Sequence, residues 1–128
     1  MVQTISDGGM DMLKKQYRLR HNADFRRIYR QSKSLSTKYL VLYPRKVKGE
    51  GIRVGFSVSK KVGKAHIRNY YKRRLSEIIR RNFDKIQPGY DLVFVARTPI
   101  VELTYGELEK NVVFLLKKSG VWNHEQMA

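Results

Sequence analysis

Between Ile52 and Asn82 the apolar residues change their period, and few folds accommodate that change. Ile52, Val54, Phe56 and Val58 recur at every second residue, the repeat of a β-strand. From Ile67 through Tyr71, Leu75, Ile78 and Ile79 the spacing becomes three and four, which winds one apolar stripe onto a helix between Gly63 and Asn82. Arg68 and Lys72 border that stripe, while Asn69, Arg73, Ser76 and Arg80 fall on its open side. Pro88-Gly89 then breaks the chain before a strand over 91–97. A closing helix follows: Thr104 and Glu107 have capping-box spacing, Leu108, Val112, Leu115 and Leu116 form an apolar face, and Lys117-Lys118 precede Gly120.

Upstream, Asn22 is placed to cap a helix through about Gln31, whose Phe25, Ile28 and Tyr29 share one face. Tyr39 to Tyr43 alternates as a strand with neither side polar, which implies a sheet covered or used on both sides. Lys48-Gly49-Glu50-Gly51 is turn chemistry, so this strand and Ile52 to Ser59 read as an antiparallel hairpin. The order αββαβα predicts an α+β two-layer sandwich, with helices packed on one face of a mixed central sheet. A chain of 128 residues holds one core. Residues 1–12 read as a flexible tail or added residues, 13–119 as the domain and 120–128 as a C-terminal tail.

Lysine and arginine number 27 against 11 acidic residues, a formal charge of +16. Such a chain repels itself until a polyanion compensates it, and nucleic acid is the leading candidate. No apolar run reaches the roughly 18 residues of a membrane span and no signal peptide opens the chain, so a cytoplasmic location is expected, with no membrane partner. The absence of cysteine removes disulfides, thiolate metal sites and cysteine nucleophiles together.

The charge concentrates in the loop and helix start from Ser57 to Arg74, where seven basic side chains stand in 18 residues. Arg68, Asn69, Lys72 and Arg73 share one strip of the helix. Arginine offers a planar donor fork to phosphate, and asparagine can read a base or a 2′-hydroxyl. Taken alone, such a run also fits a solvated helix face.

The segments Ser57-Val58-Ser59-Lys60-Lys61-Val62-Gly63 and Arg68-Asn69-Tyr70-Tyr71-Lys72-Arg73, in that order, resemble the hallmark of bacterial ribonuclease P protein subunits, a strand end S-V-S-K-K-x-G followed by a helix with R-N-x-x-K-R. The resemblance runs from about Leu13 to Ser119, through Lys14-Lys15, Asp24-Phe25, Val41-Leu42-Tyr43 and Leu103-Thr104-Tyr105. Two positions depart from it: Tyr70 stands where the motif has its second arginine, and Ser76 where another arginine is common. The resemblance implies a left-handed βαβ crossover around the basic helix. It further implies a protein subunit of an endoribonuclease whose catalytic RNA removes the 5′ leader of precursor tRNA, with Mg2+ at the RNA active site and no small-molecule cofactor. On that pattern Arg68, Asn69, Lys72, Arg73, Lys60, Lys61 and Lys64 would bind the catalytic RNA, and Phe25, Tyr29 and Tyr43 the leader. Read without the resemblance, Phe25 and Tyr29 also suit the core side of an amphipathic helix.

No catalytic or metal-binding set emerges from the residues themselves. His21, His66 and His124 lie in separate segments without a His-Glu-x-x-His pattern, and Gly63-Lys64-Ala65 lacks the Ser/Thr and the earlier glycine of a phosphate loop. The alternatives to the leader-processing role are a structural RNA-binding protein of ribosomal type and a protein-only nuclease.

Overall fold

The computed structural model describes residues 13–123; the expected tail at 1–12 and the last residues, His124 among them, lie outside the described residues. Helix α1 (Asn22–Gln31) is followed by strands β1 (Leu35–Ser36), β2 (Leu40–Lys46) and β3 (Ile52–Val58), then by helix α2 (Ala65–Arg81), strand β4 (Tyr90–Ala96) and helix α3 (Tyr105–Lys118). The α+β class and the mixed sheet are as the sequence implies. The two-residue β1 is an addition, and α1 starts one residue earlier than expected: His21 holds the N-cap position, and Asn22 is already helical.

The expected hairpin does not form. The sheet order is β1-β2-β4-β3, so β4 enters between β2 and β3, antiparallel to the first and parallel to the second. The 48–51 turn opens around the residue that leads into β4: Val47 N–H donates to the Gly89 carbonyl, and Gly89 N–H to the Gly51 carbonyl. Gly49 and Gly89 both take positive φ, near +89° and +88°, and a Cβ on Gly89 would stand 3.0 Å from the Gly49 carbonyl oxygen. Turn residues specify a reversal, but they do not specify that the strands on either side are neighbours. The run Leu92-Val93-Phe94-Val95 is apolar on both faces, and the centre of the sheet removes more of it from water than an edge would.

Strand alternation divides the core in two. Leu40, Leu42, Val54, Leu92 and Phe94 join Leu75, Ile78 and Ile79 of α2 and Leu108, Val112, Leu115 and Leu116 of α3 in the main core. The opposite face carries Val93 with Tyr43 and Val95, on which α1 sets Ile28 and Phe25. The helices therefore divide between the faces instead of sharing one, because the second apolar face of β2 and β4 also requires cover.

Both ends of the domain are tied in by contacts distant in sequence. Leu13 is buried, and its N–H donates to Ser76 Oγ at 3.0 Å, so Ser76 is fully buried and not on an open side of α2. The N-terminal segment continues along β3, with Arg18 bridged to Val54, and Tyr17 packs on Phe83 with ring centroids 4.6 Å apart. At the other end, Gly120 turns with φ near +84°, and Val121 and Trp122 return to the core. Gln87 N–H donates to the Val121 carbonyl and Asn123 N–H to that of Lys85, so the domain extends beyond 119 into the expected C-terminal tail. Burial of the indole, which no local periodicity announces, is the physical reason.

Candidate nucleic-acid interface

Between α1, which packs on β2 and β4, and the edge strand β3, a cleft of about 630 Å³ opens. Its floor is apolar: Leu19, Phe25, Tyr29 and the backbone of Gly55. A Cβ at 55 would stand 2.5 Å from the far end of the Phe25 ring and 3.1 Å from Leu19, so any side chain there would push the ring off the strand. The missing side chain lets the ring lie directly on the strand. Tyr29 is 37% exposed and meets Phe25 edge-on at 6.4 Å. Its phenol has a raised pKa, chiefly through burial and partly through Tyr43, against a hydrogen bond with Ser57 that lowers it; the ring is therefore neutral at physiological pH.

The rim is cationic. Arg18, Arg20 and Arg26 line the cleft on one side and Lys72 of α2 on the other. Burial first, and the adjacent charge of Arg20 second, push the Arg18 pKa down. Both effects oppose the cation, and the negative charge of a bound phosphate would offset them. Apolar rings below and positive charge around them make a surface suited to an unpaired nucleic-acid strand, whose bases stack while its phosphates are neutralised.

The position of α1 is held by a network on its own face of the sheet. Asp91 is 2% exposed and accepts two hydrogen bonds from Arg53, at 3.1 and 2.9 Å, with Arg45 at 3.7 Å. Arg53 also lies 3.8 Å from Asp24 of α1, and Arg45 donates to Gln31 at the end of that helix. The pKa of Arg53 is raised, first by its hydrogen bonds to Asp91, against the opposing effect of burial. These carboxylates are committed to arginines, and among the described residues no group of three His, Asp or Glu side chains converges as a metal site requires.

The loop that leads into α2 continues from Ser57 and Val58, which line the cleft. Lys64 is its N-cap residue and provides no side-chain acceptor, and the first turn contains no acid. Lys60, Lys61 and Lys64 are all exposed beside this helix end, whose unpaired N–H groups already carry partial positive charge. Basic residues here oppose the helix dipole, and an anion would relieve both.

The structure distributes the sequence candidates over more than one surface. Phe25 and Tyr29 line the cleft; Tyr43 does not, and stands behind Tyr29 with ring centroids 4.8 Å apart, half-buried against α1. Arg68 turns back to donate from Nε to the Gly63 carbonyl at 3.2 Å, so part of its fork braces the loop before α2. Asn69 is exposed. Lys72 lies on the cleft flank of α2, whereas Arg73 lines a separate groove with Tyr70 and Val101, so the strip 68, 69, 72, 73 spans two flanks. Sequence reasoning missed Arg18, Arg20, Arg26 and Gly55. A glycine inside the alternating run Val54-Gly55-Phe56 was the available signal, since such a residue marks a close approach to the strand.

The sequence model of the Ribonuclease P family matches residues 13–120. The chain is 48% identical over 113 residues to the Ribonuclease P protein component of Clostridium novyi, covering 87% of this chain and 100% of that one. It is 46% identical over 106 residues to the protein of the same name from Alkaliphilus oremlandii, covering 83% and 93%. Among solved structures, the fold is similar to the RNase P protein of Staphylococcus aureus, with a TM-score of 0.78, 34% identity and coverage of 84% and 98%. It is also similar to that of Thermotoga maritima, with a TM-score of 0.73, 35% identity and coverage of 79% and 96%.

Proposed function

Because the chain belongs to the ribonuclease P protein component family, we propose that it assembles with the catalytic RNA of that ribonucleoprotein and receives the single-stranded 5′ leader of precursor tRNA in the α1–β3 cleft. The observation that carries this reading is the union of an apolar, aromatic floor with an arginine rim in a cleft lined by β3, the strand that leads into the uncapped, lysine-rich start of α2. Stacking makes little demand on base identity, which suits a subunit that meets many leaders. Lys60, Lys61, Lys64 and Asn69 are exposed in the loop after β3 and on the first turns of α2 and serve the RNA subunit, while Phe25 and Tyr29, in the cleft, serve the leader. Lys72, at the junction, neutralises backbone phosphate of whichever strand crosses it.

In this reading phosphodiester hydrolysis belongs to the RNA, together with the Mg2+ it requires, and no residue of this chain is assigned to a metal. Asp24 and Asp91, the carboxylates beneath the cleft, are taken up by Arg27, Arg53 and Arg45. The protein contributes by neutralising phosphates that would otherwise repel one another. A reconstitution assay tests the proposal. The chain alone should not cleave precursor tRNA, and its addition to a bacterial ribonuclease P RNA should raise cleavage at low magnesium. Cleavage by the chain alone would favour a protein-only nuclease, and RNA binding without any gain in cleavage would favour a purely structural RNA-binding role.

A further inference from the structure

On the flank of α2 away from the cleft, a second groove of about 460 Å³ lies between the first turns of that helix and the 98–102 turn, lined by His66, Ile67, Tyr70, Tyr71, Arg73 and Val101. Two of its members are large apolar side chains left in water: Tyr70 is 43% exposed and Val101 49%. Tyr70 is nonetheless held. Arg74 lies over its ring at 4.9 Å from the centroid, and Tyr71 meets it edge-on at 5.0 Å. A ring fixed in this way loses little freedom when something stacks on it. The same groove contains an unmet donor: Arg73 Nε is buried without a hydrogen-bond partner.

We propose that this groove is a docking site for an unpaired nucleobase of the RNA partner, with Tyr70 and Val101 as its apolar walls and Arg73 as the hydrogen-bond donor. The inference rests on the assembly with RNA proposed above and names a contact within it. Charge selects the occupant. The nearest acids are already engaged, Glu77 with Arg74 at 3.2 Å and Glu102 with Lys38 at 3.9 Å, so Arg73 and His66 leave the rim cationic or neutral. A second copy of a chain carrying +16 would be repelled from such a rim, whereas a base arrives with its own phosphate. A base also offers ring acceptors to Arg73 and a flat face to Tyr70, a pairing that an aliphatic protein side chain lacks. Tyr70 stands at the position where the resembled motif has arginine, so the groove presents a ring for stacking where that motif presents a cation.

Salt dependence distinguishes the two kinds of contact, because only a phosphate contact releases counterions. The test is binding of a bacterial ribonuclease P RNA transcript by the full chain and by Tyr70→Phe, Tyr70→Ala and Tyr70→Arg across a salt series, with a thermal melt of each. Tyr70→Phe should bind within about twofold of the parent, and Tyr70→Ala roughly five- to more than a hundredfold more weakly, with an unchanged salt slope and melting temperature. Tyr70→Arg should steepen the slope by about 0.7 to 0.9 without regaining the parent's affinity at high salt. Unchanged affinity of a stably folded Tyr70→Ala, or full affinity of Tyr70→Arg at every salt concentration, would overturn the base site. So would loss of self-association in Tyr70→Ala at unchanged RNA affinity, which would make the groove a protein contact. If the parent chain itself fails to bind the transcript, the assembly reading falls and the base site with it. If the parent binds and only the Tyr70 series is silent, the base site falls alone.

Discussion

Helices α2 and α3 pack on the same face of the sheet, yet their N-termini are built by opposite rules. α3 is closed by its own sequence: Thr104 Oγ1 accepts from Glu107 N–H, Glu107 Oε1 accepts from Thr104 N–H, and Lys117 and Lys118 sit in the last turn, where the dipole favours them. α2 begins with Lys64 in the capping position, without a side-chain acceptor and without an acid in its first turn, and Lys60 and Lys61 crowd the same end. Its stability comes from the buried stripe of Tyr71, Leu75, Ile78 and Ile79, which holds the helix whatever its start contributes. A local rule kept in one helix and broken in its neighbour locates function at the broken one. The cleft repeats the pattern, since Phe25 and Tyr29 are aromatic rings left partly in water above a glycine while the opposite face of the sheet is closed.

That contrast can be broken by substitution. The largest effect is expected at the cleft: Phe25→Ala should weaken holoenzyme binding to precursor tRNA by about 1 to 3 kcal/mol, roughly five- to more than a hundredfold. Binding to the catalytic RNA should be nearly unchanged. The loss should shrink as the leader is shortened, which a titration of long- and short-leader substrates measures. A purely core role would instead lower the melting temperature and remove both binding activities together. Next in size, Thr104→Ala removes the α3 cap and should cost about 1 kcal/mol of stability, read by denaturant unfolding, with RNA affinity unchanged. The smallest effect belongs to Arg18→Ala, which should reduce the salt slope of leader binding by about 0.7 while leaving assembly with the catalytic RNA intact. Equal losses in both would mean that the cleft rim and the α2 surface act as one field of charge.

What the sequence makes legible is what local chemistry decides. The α3 capping box, the α2 stripe and the strand alternation at Ile52–Val58 are each written within a few residues and stand in the structure as read. What it hides depends on partners far along the chain. The 48–51 turn has the residues of a hairpin, but β4, arriving some forty residues later, takes the place between its arms. Ser76 falls on the polar side of the helical wheel and is buried because Leu13 crosses it. The candidate site shows the same division. The basic residues before and within α2 are conspicuous in the sequence, whereas Arg18 and Arg20 join the cleft only because the N-terminal segment runs alongside β3. Arg73 parts from Lys72 because adjacent helix positions are about 100° apart, enough to place them on different flanks.

If the start of α2 forgoes its own stability in order to hold RNA, Lys64→Asp should reverse that exchange. Lys64 has φ −65° and ψ 168°, the extended conformation of a capping residue, so aspartate there can accept from the first turn and complement the dipole. Thermal unfolding and binding to a ribonuclease P RNA transcript would be measured on the same preparation. The variant should be more stable than the parent by about 0.5 to 2 kcal/mol and bind the RNA at least roughly tenfold more weakly, through a lost cation and an added anion. A variant that is no more stable, or one that is more stable and binds the RNA with the parent's affinity, would mean that the start of α2 does not exchange stability for RNA binding.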